Sequence, residues 1–344
     1  APYHPPWSNL DRSGYLRMDL NENTMDPPVH VKQALKDYID SNRIQLYPEY
    51  DRFLSKVSAY AKVDADRIIL SNGSDHGIEL LLRAFLSPGD TMVIARPEFP
   101  IFSQVAGVLN ARVKDVPFGA DMVFPFNRFM GASAGDISLI VIINPNNPTG
   151  TPVELSQIET VLENNPETPV IVDEAYYEYT GRTAASLLNN YPNLIITRTF
   201  SKAFAMAGLR LGYVIAHPEI ILQLYKIRGP FDVNSCAMIA AEAQIDHPDT
   251  WKAYVKEAME ISKSYLENFF RENDVLFFPG AAHFMLVKPA NRDEAVGYLK
   301  QNNILIRPMY APLISDTFRM NVGTLEQTRA FAKTYGKYLQ ESLI

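Results

Sequence analysis

Cysteine is almost missing from this 344-residue chain: Cys236 stands alone, so no internal disulfide can form, and a reducing, cytoplasmic setting is expected. Cys236 itself reads as a small core residue. An excess of positive charge is missing too. The formal net charge is −7 and no basic block stands out, which argues against nucleic acid or an anionic membrane as partner. Long hydrophobic runs are lacking; LIVII at 139–143 is far too short to span a bilayer. The opening APYHPPWSNL carries neither a basic nor an apolar stretch, so no signal peptide is expected in it. Internal repeats and low-complexity segments are also absent. What is present is ordinary globular composition, 47% apolar and 21% charged, sufficient for a large core.

A proline-rich arm opens the chain, and apolar periodicity then predicts a helix over 29–41. Up to about residue 230, short β-branched runs alternate with amphipathic stretches. RIIL, TMVIA, SLIVIIN, PVIVDEA, NLIITRT and LGYVIA read as strands, with helices predicted at 74–86, 102–109 and 154–164. Unbroken runs of this kind suit strands covered on both faces, hence an α/β fold with a mostly parallel sheet. The last third reads differently. A long helix over 248–273 is followed by VLFF, HFMLVK, a helix at 293–302, ILIR, FRMNVG and a C-terminal helix, which together make an α+β unit. The expected organisation is an arm and part of a small domain over 1–40, a large domain over 41–245 and a small domain over 246–344.

The chemistry concentrates in RTFSKAFAMAGLRLGY at 198–213. A buried lysine loses hydration and its pKa falls toward neutrality, leaving an amine able to attack a carbonyl. Thr199, Ser201 and Arg210 flank Lys202 with groups suited to a phosphate. An amine that captures an aldehyde beside a phosphate site points to pyridoxal 5'-phosphate. That cofactor needs a carboxylate at its pyridine nitrogen, donors at its phenolic O3', N–H groups at its phosphate and a flat neighbour for its ring. Asp173 ends the strand-like VIVD, where a carboxylate faces the crevice of a parallel sheet; Tyr176 follows three residues on. Asn147 in NPNNPTG is a second candidate for O3', before a proline whose peptide bond is open to either isomer. In SNGSDHGIELLLRAF, Ser74 and Asp75 begin a helix whose N–H groups and dipole favour an anion. Phe99 in ARPEFPIF is a candidate to lie on the ring. Each has a plainer reading as turn, N-cap or core residue. No metal is expected.

NPNNPTG, DEAYYEY and RTFSKAFAMAGLRLGY, in that order, resemble the class I/II aminotransferases of PLP fold type I, and most closely the histidinol-phosphate aminotransferases. LNEN, YPEY, NGSD, PFDVNS and FRMNVGT add to the likeness, which runs from about residue 18 to the end. The resemblance implies that Lys202 is the Schiff-base lysine and proton carrier, and that Asp173 pairs with the pyridine nitrogen. Tyr176 and Asn147 would bind O3', Phe99 would stack, and Ser74, Asp75, Thr199, Ser201 and Arg210 would hold the phosphate. Tyr47 would reach a neighbouring subunit's site, implying a homodimer. Arg319 would grip the substrate's anionic end with Arg307 near it, and Asn21 would lie at the substrate. The implied activity moves an amino group between an amino donor, either histidinol phosphate or another amino acid such as an aromatic one, and a 2-oxo acid.

The chain departs from the histidinol-phosphate pattern in four places. Trp7 and His283 stand for a tyrosine and an asparagine, and NENT lacks the usual following proline. Asp232 replaces another asparagine, setting a negative charge where an anionic substrate is expected to pass. Two other readings follow from the same residues. A PLP decarboxylase resembling the threonine-phosphate decarboxylases would use the same lysine, aspartate and phosphate site. An aminotransferase-shaped module of a transcription regulator would need a basic helix-turn-helix segment, of which this sequence shows none.

Overall fold

The computed structural model describes Trp7 and residues 10–341. Its centre is a seven-stranded sheet in the order Ile68–Ser71, Gly212–Ile215, Leu194–Thr199, Val170–Asp173, Leu139–Ile143, Thr91–Arg96, Arg112–Pro117. Four neighbouring pairs run parallel, and Gly212–Ile215 is antiparallel to both of its neighbours. The apolar runs explain this placement. Ile140, Ile142, Val170 and Val172 enter one core cluster, while Leu139, Val141, Ile143 and Ile171 enter another on the opposite face. Successive strand residues point to opposite faces, so burial on both sides requires apolar residues at every position rather than every second one. The expected mostly parallel α/β sheet is the one observed.

The edge strand Arg112–Pro117 escapes a search for apolar runs because only Val116 is buried in it. Helices Asp51–Ala61, Phe126–Ser133 and Pro218–Ile227 are also not among those expected. Cys236 is only partly buried, so it is not the core residue that its type suggested.

The C-terminal third carries a four-stranded antiparallel sheet in the order Arg307–Pro308, Phe318–Asn321, Phe284–Lys288, Leu276–Phe278. The arm meets this third of the chain in a separate two-stranded sheet, Leu16–Arg17 pairing parallel with Ile304–Leu305. The long helix beginning at Pro248 has a π-helical segment, Glu257–Ser262, that the even apolar spacing did not predict. The two sheets meet at a close backbone contact. Gly280 (φ +55°) lies against Gly150 (φ +73°), and a Cβ on Gly280 would stand 2.6 Å from the Gly150 Cα. Glycine alone fits both the left-handed backbone and that spacing.

Candidate active site

Parallel strands deliver their C-terminal ends to one edge of the sheet, where chain reversals leave a crevice. Asp173 ends its strand in register with Thr197, and Thr199 lies opposite Gly212 on the next pair. Gly212 also faces Ser71 on its other side. A Cβ there would stand 2.6 Å from the Ser74 nitrogen, so this glycine lets the start of helix Gly73–Phe85 come down onto the sheet. The result is a cleft of about 550 Å³ at that edge, closed on the far side by the small sheet.

At one end of the cleft, Ser74 and Asp75 occupy the first turn of the helix. The Thr199 hydroxyl donates to Ser201 Oγ at 3.0 Å and accepts from the Ser201 N–H at 3.1 Å. Arg210 reaches Ser201 Oγ at 3.2 Å and Asp75 Oδ2 at 3.1 Å. Helix N–H groups, two hydroxyls and a guanidinium thus converge in a cup suited to a dianion.

Deeper in, the carboxylate of Asp173 is buried and accepts from Thr197 Oγ1 at 2.8 Å. Burial pushes its pKa up to about 6 against the opposing pull of that hydrogen bond, and the negative charge of Asp75 adds to the rise. Lys202 is displaced the other way. Burial, and then the nearby Arg319 charge, lower its amine to about 8. Its Nζ donates to the Leu20 carbonyl at 3.2 Å.

Tyr176 is fully enclosed, and burial keeps its phenol protonated, with the pKa pushed up to about 12. Its oxygen accepts from Asn21 Nδ2 at 3.0 Å and from Asn147 Nδ2 at 3.1 Å. Both lone pairs are then taken, so its own proton is left to donate into the cleft. Asn147 cannot turn, because Arg319 Nη1 donates to its Oδ1 at 2.6 Å. The Asn147–Pro148 bond is cis, as are Arg96–Pro97 and Asn144–Pro145.

Arg319 and Arg307 are register partners on adjacent antiparallel strands and line the wall opposite the phosphate cup. Phe99 is half-buried at the entrance. Every residue named from the sequence for this site lines the cleft except Tyr47, whose ring is 75% exposed and stacks on Phe231 at 4.1 Å. Asn21 does line it, but its amide nitrogen is engaged with Tyr176.

Two departures fall elsewhere. Trp7 does not line the cleft; its ring lies under the Lys300 ammonium at 4.7 Å. Asp232 does not line the cleft either. Its carboxylate is turned to His76 at 3.6 Å and Arg228 at 4.0 Å. Sequence reasoning missed Glu98, Gln104 and Tyr310, which also line the cleft. Glu98 is buried and accepts from Ser103 at 2.7 Å, and nothing in ARPEFP distinguishes it from a loop carboxylate.

A mostly parallel sheet with an anion cup, a buried carboxylate and a low-pKa amine at one crevice defines a PLP fold type I enzyme. The donor set fits the cofactor. Asp173 is a buried carboxylate that a pyridinium would suit, Tyr176 has a proton to give O3', and the cup matches a phosphate. The family model for aminotransferase class I and II matches residues 13–334, and the chain belongs to that family. It is 33% identical to the dihydroxyacetone phosphate transaminase of Campylobacter jejuni, over 97% of this chain and 95% of that one. It is also 33% identical to a Geobacillus histidinol-phosphate aminotransferase, over 95% and 90% respectively. The histidinol-phosphate aminotransferase of Sinorhizobium meliloti, solved with pyridoxal 5'-phosphate, superposes with a TM-score of 0.88 at 22% identity, covering 96% of this chain and 92% of that one. The protein is a PLP-dependent transaminase.

Proposed function

We propose that the amino donor is a small molecule bearing a phosphate ester, of the histidinol phosphate class, and that a 2-oxo acid is the acceptor. The observation that carries this reading is the second cationic pole. Arg307 and Arg319 stand together across the cleft from the cup that the cofactor phosphate would fill. A planar guanidinium grips phosphate as well as carboxylate. Histidinol phosphate, the amine named for one relative above, carries a phosphate ester, as does dihydroxyacetone phosphate, the ketone named for the other, which supports a phosphate-ester substrate.

When bound, the cofactor supplies an aldehyde and an electron-withdrawing ring that acidifies the substrate's Cα–H. Lys202 would hold the cofactor's aldehyde carbon, and its Nζ would take and return the substrate's Cα proton. Asp173 would keep the ring nitrogen protonated. Tyr176 would donate to O3' with Asn147 as a second partner, while Ser74, Asp75, Thr199, Ser201 and Arg210 would hold the phosphate. Phe99 would stack on the ring and Asn21 would serve the substrate.

The same reading makes the active unit a homodimer. Ile44, Leu46, Tyr47 and Phe231 are 59%, 58%, 75% and 49% exposed on one face, an apolar surface that a second copy would cover, bringing Tyr47 to its neighbour's cleft. We further assign the arm to 1–40, the large domain to 41–245 and the small one to 246–344. Among the described residues no helix is long and apolar enough to cross a membrane. A cytoplasmic setting is part of the proposal.

The test is a half-reaction screen. Cofactor-loaded protein is mixed with histidinol phosphate, with its unphosphorylated alcohol and with common amino acids, and loss of visible absorbance is recorded. The phosphorylated amine should react at least tenfold faster than the alcohol. Equal rates would remove the phosphate ester from the assignment. Release of carbon dioxide without an acceptor would favour the decarboxylase reading instead.

A further inference from the structure

Four consecutive carbonyls of the segment over the cleft each accept from a different residue. The Met18 oxygen takes the Asn321 N–H at 3.0 Å. Asp19 takes Arg319 Nη2 at 2.8 Å, and Leu20 takes Lys202 Nζ at 3.2 Å. Asn21 takes His283 Nε2 at 3.3 Å. Asn21 is also a non-glycine residue at φ +54°, a left-handed conformation that persists only where its surroundings enforce it.

The four donors are not equivalent. Lys202 and Arg319 also serve the cleft, so each is drawn away when it turns to a ligand. The Asn321 amide belongs to a strand, and His283 lines no part of the cleft. The His283 ring is fully buried and stacked on Tyr179 at 3.9 Å and 12°. Burial and the surrounding cations hold its pKa well below the usual imidazole value, so the ring is neutral. A carbonyl only accepts, so the proton of the neutral ring resides on Nε2. The loop before it is held as well, because the Lys263 ammonium donates to the Gly280 and Ala282 carbonyls, each at 2.8 Å.

We propose that His283 is a positioning residue for the lysine chemistry: its Nε2–H anchors the Asn21 carbonyl, which keeps residues 18–21 over the cleft and the Asn21 amide on Tyr176 when Arg319 and Lys202 engage ligands. This rests on the reading of Lys202 given above.

Two variants separate the N–H from the ring. His283→Phe keeps a ring against Tyr179 and donates nothing; His283→Gln keeps an N–H donor and no ring. Hydrogen exchange of amides 19–23 is read in the cofactor-loaded proteins. The rate at which cofactor-free protein captures added pyridoxal 5'-phosphate is read by visible absorbance. His283→Phe should speed strap exchange and slow capture by about tenfold each, the scale of one lost hydrogen bond, with His283→Gln within about threefold of wild type. Wild-type behaviour of His283→Phe in either measurement overturns the proposal. So does a His283→Gln variant as impaired as His283→Phe, which would show that the ring and not the N–H matters. Should both variants fail to fold, the 15N shifts of histidine in the unaltered protein decide, because an Nδ1–H tautomer at His283 overturns it and an Nε2–H tautomer supports it. A wild-type protein that captures no cofactor would sink the assignment of Lys202, while exchange and tautomer would still judge His283.

Discussion

Replacing Asp173 by Asn should make the cofactor-free protein more stable and the loaded enzyme nearly inactive. The carboxylate is buried, with Thr197 Oγ1 donating to it, and its pKa is raised from 3.8 to about 6. A raised carboxylate pKa means that ionisation is harder in the folded chain than in the unfolded one. The stability present below pH 3.8 is therefore lost as pH climbs through about 6. The shift of about two units corresponds to ~3 kcal/mol. A neutral amide of the same shape escapes that loss and can still accept from Thr197. A chain of this length changes stability by about 0.7 kcal/mol per degree near its midpoint, so the gain is roughly 4 °C. The assay is the melting temperature of cofactor-free wild type and D173N between pH 4 and 8. The difference should be small at pH 4, grow through pH 6 and level off above 7. Turnover of the loaded variant should fall about a thousandfold, because the ring nitrogen loses its anion. A variant that melts with the wild type at pH 8, or that turns over normally, would refute the argument.

Three further outcomes are expected. Capture of pyridoxal 5'-phosphate by cofactor-free protein should accelerate as pH rises toward about 8, where Lys202 loses its proton, and an Arg319→Met variant should need a higher pH, since the Arg319 charge helps depress that pKa. Glu174→Gln leaves Arg198 buried without its anion, a pair now 2.9 Å apart, and should lower stability by about 3 kcal/mol or more in denaturant titrations. Gly280→Ala puts a Cβ 2.6 Å from the Gly150 Cα at φ +55°, and should lower the melting temperature and disturb the Asn147 turn, read as weaker cofactor retention on dialysis.

Much of the site was legible because its chemistry is local. The lysine and Arg210 lie eight residues apart in one motif, and Asp173 and Tyr176 lie three apart at a strand end. The fold class was legible because a strand buried on both faces must be apolar at every position, as LIVII is. Edge strand Arg112–Pro117 lacks that signature because one side of it has no neighbour. The π-helical segment Glu257–Ser262 was hidden because a change in helical register leaves composition untouched.

By itself, then, the order of residues determined the parallel core of the sheet and the class of cofactor, since doubly covered strands are apolar at every position and the lysine motif is contiguous. Tertiary structure alone decided that Asp232 faces His76 and Arg228, that Trp7 lies under Lys300, and that Asn21 is held between His283 and Tyr176. Those contacts join residues 155 and 262 positions apart in the case of Asn21. No local pattern encodes them, because they exist only once two sheets and the arm have packed together.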